Sequence, residues 1–143
     1  MANKLLVFGG SGHAKDVLSM AQSIGYESFT IVTTDGSSHL SGLSAVKESD
    51  FDPAAYADWD CITAIGNNDH RKRFSEQYSE ALRFVSIISP QASVSASAKI
   101  GEGSFIGAFA YIGPDSVIGN ACIVNTHAIV GHDAKIGNFT HVG

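Results

Sequence analysis

Apolar and polar positions change their spacing partway along the chain, and each spacing predicts a different architecture. Up to about residue 87, short apolar runs alternate with helical patterns. Leu5 to Phe8 is continuously apolar and ends at Gly9-Gly10, as a buried parallel strand does. Between Ala14 and Ile24, Val17, Leu18, Ala21 and Ile24 share one helical face, and Gly25 supplies a stop. Phe29–Val32 and Cys61–Ile65 read as second and third strands, Asp69–Leu82 as a helix, and Phe84–Ile88 as a fourth strand. Strand, glycine turn, helix and strand make up a small Rossmann-like parallel α/β sheet. The Ser-, Gly- and Ala-rich stretch from Gly36 to Trp59 predicts little on its own.

From Ile88 onward the period becomes six. Ile88, Val94, Ile100, Ile106, Ile112, Ile118, Val124, Val130, Ile136 and Val142 are all Ile or Val. Glycine follows most of them (Gly101, Gly107, Gly113, Gly119, Gly131, Gly137 and Gly143), which predicts that glycine relaxes the turn. Four residues after each aliphatic stands a compact side chain, from Ala92 and Ala98 through Cys122 to Thr140. This is the signature of a hexapeptide-repeat β-helix, about 18 residues to a three-sided coil. The aliphatics stack inside the prism at roughly 1.5–3 kcal/mol each before entropy. The sequence thus divides into an α/β domain over 1–87 and a solenoid of about three coils over 88–143. The last repeat stops after two residues with no polar cap, so the sequence reads as a C-terminally truncated part of a longer protein.

Composition narrows the functional classes. A net charge of −5 argues against a nonspecific nucleic-acid binder, and the one dense basic run is Arg71-Lys72-Arg73. No apolar stretch is long enough for a membrane span. Cys61 and Cys122 lie in apolar runs and read as free structural thiols in a reducing, cytoplasmic setting. Trp59 and the phenylalanines read as core.

Three segments carry candidate chemistry. Gly9-Gly10-Ser11-Gly12-His13-Ala14-Lys15 joins the first strand to the first helix, where backbone amides can cradle a pyrophosphate. It matches neither the dinucleotide fingerprint, since Lys15 stands at the third glycine position, nor a P-loop. Read structurally, it is a tight βα turn. Gly66-Asn67-Asn68-Asp69-His70-Arg71 follows the third strand; its asparagines can read a base or sugar, and Asn68 or Asp69 can cap the helix. His127, His132 and His141 fall within one coil, the first two at corners of adjacent hexapeptides, and Asp133 follows His132. An exposed imidazole beside a carboxylate can accept a proton from an attacking amine or hydroxyl.

An α/β domain feeding a hexapeptide β-helix resembles the bacterial sugar acetyltransferases of the NeuD/PglD type. The resemblance covers essentially the whole chain. It rests on Phe8 to His13, on Ala64-Ile65-Gly66-Asn67-Asn68, on Asn125 to Asp133 and on Ile136 to Val142. It implies a left-handed β-helix, a homotrimer packed along the prisms and acetyl-CoA as co-substrate, with no metal. It implies a nucleotide-linked amino sugar, UDP-linked by preference, or a sialic acid as acceptor. It further implies that His132 is the general base and that Asp133, where the family often has Glu, tunes it. Asn125 and His141 then face the donor, and Ser11, Gly12, His13, Gly66 and Asn67 grip the nucleotide-sugar. Some relatives carry paired acidic residues at the end of the second strand; here that stretch is Thr33-Thr34-Asp35, leaving Asp35 at the position. The coils that usually wrap the far end of the donor would lie beyond Gly143.

Three other readings of the same residues differ in class or product. Sialic acid O-acetylation uses the same base and donor. A zinc hydratase resembling the γ-carbonic anhydrases would use His127 and His132, though Gln91 stands where a third histidine would be sought two coils earlier. A non-catalytic nucleotide-sugar-binding fragment would use the first half alone.

Overall fold

The computed structural model describes residues 3–143. These form two compact units, divided between Val85 and Ser86.

In the first unit, β1 (Asn3–Phe8), β2 (Tyr26–Thr33), β3 (Ala45–Lys47), β4 (Asp60–Thr63) and β5 (Arg83–Phe84) make one sheet in the order β3-β2-β1-β4-β5. Every pairing is parallel. β1 is central, which is why Leu5, Leu6, Val7 and Phe8 are all apolar and fully buried. Leu6 and Phe8 pack on Phe74, Tyr78 and Leu82. The Phe8 ring stacks on Tyr78 at 4.9 Å, and Leu5 and Val7 face the opposite side.

Helix α1 (Gly12–Ser23) buries Ala14, Val17, Leu18 and Ala21. It stops one residue before the apolar pattern does. Ile24 is already the C-cap and is exposed, and Gly25 follows at φ +106°, the left-handed position that ends helices. Helix α2 (Asn68–Tyr78) is capped by Asn67, whose Oδ1 accepts from His70 N–H at 3.0 Å. The expected caps, Asn68 and Asp69, lie inside the helix. The unassigned stretch holds β3 and two short 3₁₀ turns, Glu48–Asp50 and Pro53–Tyr56. Trp59 is half-buried, with the Lys4 ammonium 5.6 Å from its ring centre.

The expected fourth strand divides in two. Arg83–Phe84 joins the first sheet, while Ile87–Ile88 (β6) begins the solenoid. The hydrogen bonds explain the break. Val85 N–H still donates to Cys61 O, whereas the Ser86 hydroxyl donates to Gly101 O and accepts from Ser104 N–H.

The second unit is a left-handed β-helix of two-residue strands. β6, β9 (Phe105–Ile106), β12 (Ile123–Val124) and β15 (His141–Val142) form one face. β7 (Ser93–Val94), β10 (Tyr111–Ile112) and β13 (Ile129–Val130) form the next. β8 (Lys99–Ile100), β11 (Val117–Ile118) and β14 (Lys135–Ile136) form the third. Each strand pairs in parallel with its counterpart one coil away, as Ile112 does with Val130. Ile106, Ile112, Ile118, Val124 and Val130 line the interior with Ala110, Cys122 and Ala128.

The repeated glycines act differently from the expectation. The left-handed corner conformation falls on Phe109, Asp115, Ala121, His127, Asp133 and Phe139, at φ 48–61°. Gly107, Gly113 and Gly119 are needed for space. A Cβ at Gly113 would lie 2.7 Å from the backbone nitrogen of His132, and one at Gly107 2.6 Å from that of Thr126. Glycine here lets neighbouring coils approach. The same corners put Phe109 at 54% exposure, outside the core expected of it.

Inside the prism a second ladder crosses the coils. Ser104 Oγ accepts from Cys122 N–H and donates to Gly119 O, both at 3.0 Å. Cys122 Sγ donates to Gly137 O at 3.1 Å. The compact slot therefore calls for a small side chain that can also satisfy buried backbone. Asn120 and Asn138 do the same outside, accepting from Glu102 N–H at 2.9 Å and Asn120 N–H at 2.8 Å.

Candidate functional site

The strand order of the first unit creates a switch point. From β1 the chain passes outward to β2 and β3, then returns to place β4 on the other side. In open parallel sheets ligands sit in the crevice at the carboxyl ends of such neighbouring strands. Gly9, at φ +119°, ends β1 there, and a Cβ on it would lie 2.4 Å from Ala64 O at the end of β4. Both conformation and space require glycine.

A cavity of about 300 Å³ opens at this point, lined by Gly9, Gly10, Ser11, Val32, Thr33, Thr34, Asp35, Ser37, His39, Ile65, His70 and Phe74. The loop after β2 is pinned to the first turn, for His39 N–H donates to Gly10 O at 2.9 Å. Thr33 Oγ1 donates to Ser37 O at 2.8 Å. Asp35 Oδ1 accepts from the Ser37 hydroxyl at 2.7 Å and from Ser37 N–H at 2.9 Å. Those two bonds, the hydroxyl's first, hold the Asp35 carboxyl below its ordinary value.

The two helix starts beside the cavity differ electrically. At α1, Ser11 makes no side-chain capping bond and the first turn carries no acidic residue. With no side-chain cap there, the positive dipole end favours an anion. At α2, Asn67 caps and Asp69 occupies the first turn, so that end is satisfied by the chain itself. Arg71, fully buried, fixes the turn between β4 and α2. Its Nη1 donates to Ile65 O at 2.9 Å and Gly66 O at 3.2 Å, and its Nη2 donates to Asn68 Oδ1 at 2.6 Å. The residue that stood out as part of a basic run is thus structural.

Of the sequence-derived acceptor residues, Ser11 and Asp35 line the cavity. Gly12 begins α1, and half-buried His13 follows it. Gly66 and Asn67 form the turn between β4 and α2 and do not line the cavity, with the Gly66 carbonyl held by Arg71 and Asn67 Oδ1 committed to capping. Sequence reasoning missed His39 and His70. His39 has no motif around it. His70 lay within the turn already noted, and its signal was the spacing to Phe74, four residues on and hence on the same helix face.

In the solenoid, His132 Nδ1 and Asp133 Oδ2 are 2.6 Å apart, both side chains exposed. Asp133 sits at φ 58°, and its N–H donates to Pro114 O at 2.9 Å. The pair is thereby fixed to the coil below. Asn125 Oδ1 accepts from Thr126 N–H at 2.9 Å, and Asn125 N–H donates to Val142 O at 2.8 Å. His141 is exposed on β15, paired with Ile123 two residues before Asn125. Asn125 and His141 therefore sit on adjoining rungs. The face carrying β13 separates the Asn125 turn from the His132–Asp133 turn within one chain. His127 shares the Asn125 turn, its ring 5.0 Å from that of Phe109. Among the described residues no group of three or more His, Cys, Asp or Glu side chains is arranged to hold a metal ion. No helix among them is long and apolar enough to cross a membrane.

Comparison with known proteins adds independent observations. Residues 4–78 match the PglD N-terminal domain, and residues 97–131 match the bacterial transferase hexapeptide repeats. No curated protein sequence matches. The structure is similar to that of perosamine N-acetyltransferase from Caulobacter crescentus, solved as an H-to-N mutant in complex with CoA and GDP-perosamine. The identity is 29% and the TM-score 0.87, over 99% of this chain and 69% of that one. It is also similar to the acetyltransferase domain of PglB from Neisseria gonorrhoeae, at 32% identity and TM-score 0.82, over 97% of this chain and 70% of that one. WeeI from Acinetobacter baumannii shares the fold at 24% identity, with a TM-score of 0.83.

Proposed function

The chain belongs to the PglD family of hexapeptide-repeat sugar acetyltransferases, and from that premise we propose that it transfers the acetyl group of acetyl-CoA to the amino group of a nucleotide-diphosphate-linked sugar, the UDP-linked form being the narrower reading. The similar Caulobacter enzyme was crystallised with CoA and GDP-perosamine, and the Neisseria domain with acetyl coenzyme A, which supports both substrate classes.

The observation that carries the reading is the 2.6 Å contact of His132 with Asp133. With Nδ1–H donating to the carboxylate, Nε2 is left as the acceptor. The sugar amine attacks the thioester carbonyl, His132 Nε2 takes its proton, and Asp133 orients the ring and compensates the charge it acquires. Collapse of the tetrahedral intermediate breaks the C–S bond, and the proton held on His132 Nε2 passes to the departing sulfur, so that CoA leaves as its thiol and the imidazole is neutral again. In the first unit, the open end of α1 suits the diphosphate, and Asp35 is placed to accept from ribose hydroxyls through its other oxygen.

Asn125 and His141 serve the donor in this reading, although β13 separates them from His132. Packing of prisms side by side would bring one protomer's dyad to its partner's donor residues, so a homotrimer is part of the proposal. Exposed Tyr111 and Ile129 on the face between the two turns support it.

The test is acetyl transfer to UDP- and GDP-linked amino sugars, followed by thiol release. His132→Ala is expected to lower kcat by about 10²- to 10⁴-fold while leaving nucleotide-sugar binding intact. Unchanged kcat on the true acceptor would refute the assignment.

A further inference from the structure

The cavity of the first unit contains an α2 surface that the reaction described above does not use. Helix α2 presents His70 and Phe74 to it, one turn apart. Phe74 is almost fully buried, its ring held 5.0 Å from Phe8, and makes a fixed floor. His70 is exposed at the rim. Its backbone N–H is taken by Asn67, and among the described residues no hydrogen bond engages its ring. Val32 and Ile65 complete an apolar lining on this side.

Capping distinguishes the cavity's two sides. The α1 start has no side-chain cap and no carboxylate in its first turn. The α2 side carries Asp69 next to His70 and an amide end already capped. Asp35 stands on the β2 loop. At α2 the cap already takes a first-turn amide, and the apolar Phe74, Val32 and Ile65 surface beside His70 suits a neutral planar ring better than a phosphate. We propose that His70 is the nucleobase-contact residue of this chain: its imidazole plane, above the Phe74 floor, stacks on the base of the nucleotide-sugar while the diphosphate lies at α1. This rests on the reading of the cavity as a nucleotide-sugar site and assigns a residue within it. Stacking is tolerant of base identity, so the contact fits a uracil or a guanine ring.

The test is a titration of UDP and of GDP into the full chain by ligand-observed NMR or calorimetry, with four variants beside the wild type. His70→Ala is expected to weaken both nucleotides by about fivefold to a hundredfold, the range for losing one base-stacking plane. Its melting temperature should stay at the wild-type value, because the ring is exposed. His70→Phe, which keeps a plane without charge or hydrogen bonding, is expected to bind close to wild type. His70→Lys and His70→Gln, which keep polarity without a plane, are expected to behave like His70→Ala. Retention by Lys with loss by Phe would make His70 a phosphate contact and overturn the proposal. Retention by Gln with loss by Phe would make it a hydrogen-bonding contact, with the same consequence. Wild-type affinity in His70→Ala would remove His70 from the site and leave the nucleotide-sugar reading standing. Absence of binding of both nucleotides to the wild type would refute that reading itself.

Discussion

Ser104 shows how much one compact side chain can carry. Its hydroxyl satisfies a buried N–H and a buried carbonyl of the next coil. Ser104→Ala should therefore cost about 1–3 kcal/mol in urea unfolding, the penalty for stranding buried backbone groups. Cys122→Ser keeps a donor toward Gly137 O and should cost about 1 kcal/mol or less. Glu48 is the residue-scale acid sensor. Nη1 and Nη2 of Arg73 donate to it, at 2.9 and 3.0 Å, and Tyr78 Oη donates to it at 3.2 Å. The Arg73 hydrogen bonds hold its carboxyl below the usual range. A depressed carboxylate contributes stability above its unfolded pKa and loses it as pH falls through the folded value. Glu48→Gln should thus be less stable than wild type at pH 7, by about 1 kcal/mol, since the Arg73 partner is solvent-exposed. The difference should shrink as pH falls from the ordinary carboxylate range through the depressed folded value, and thermal melts across that window check it.

At the scale of elements, coil spacing places the proposed base. The backbone of His132 rests where a side chain at Gly113 would be. Gly113→Ala pushes against three backbone atoms at 2.7–3.1 Å, none the flexible end of a side chain. It should destabilise the solenoid by about 1–3 kcal/mol. It should also lower kcat by as much as about 10²-fold through displacement of the dyad, with the nucleotide-sugar KM little changed. Steady-state kinetics separate the two effects. Helices α1 and α2 make the complementary point. Both begin beside one cavity, yet capping leaves one open to an anion and presents a side chain from the other. This difference lies in Ser11, Asn67 and Asp69 and not in helix length or hydrophobicity.

For the whole molecule, the decisive feature is the face bearing Tyr111 and Ile129. Ile129 is 72% exposed on a flat two-residue strand. If prisms pack there, Ile129→Lys should convert a trimer into monomers in analytical ultracentrifugation and suppress acetyl transfer together with assembly. A trimer of unchanged stability would exclude this face from the interface.

The repeat of six by itself determined the solenoid, because stacking aliphatics inside a narrow prism leaves few alternatives to Ile and Val at every sixth place. The apolar run of β1 and its glycine turn likewise determined a parallel α/β unit. The contact of His132 with Asp133 was legible because they are sequence neighbours at a corner. What the sequence could not supply was anything dependent on approach across a coil or a sheet. The repeated glycines looked like turn residues, but only the stacking of coils reveals that they make room for backbone 18 or 19 residues ahead. Ser86 looked like part of a strand and proved to be the first rung of a ladder. His39 and His70 stand 31 positions apart in sequence and share a cavity only because β2 and β4 flank β1. Periodicity records which way a side chain faces, whereas the groups that meet it there are chosen by parallel strands that connect distant parts of the chain.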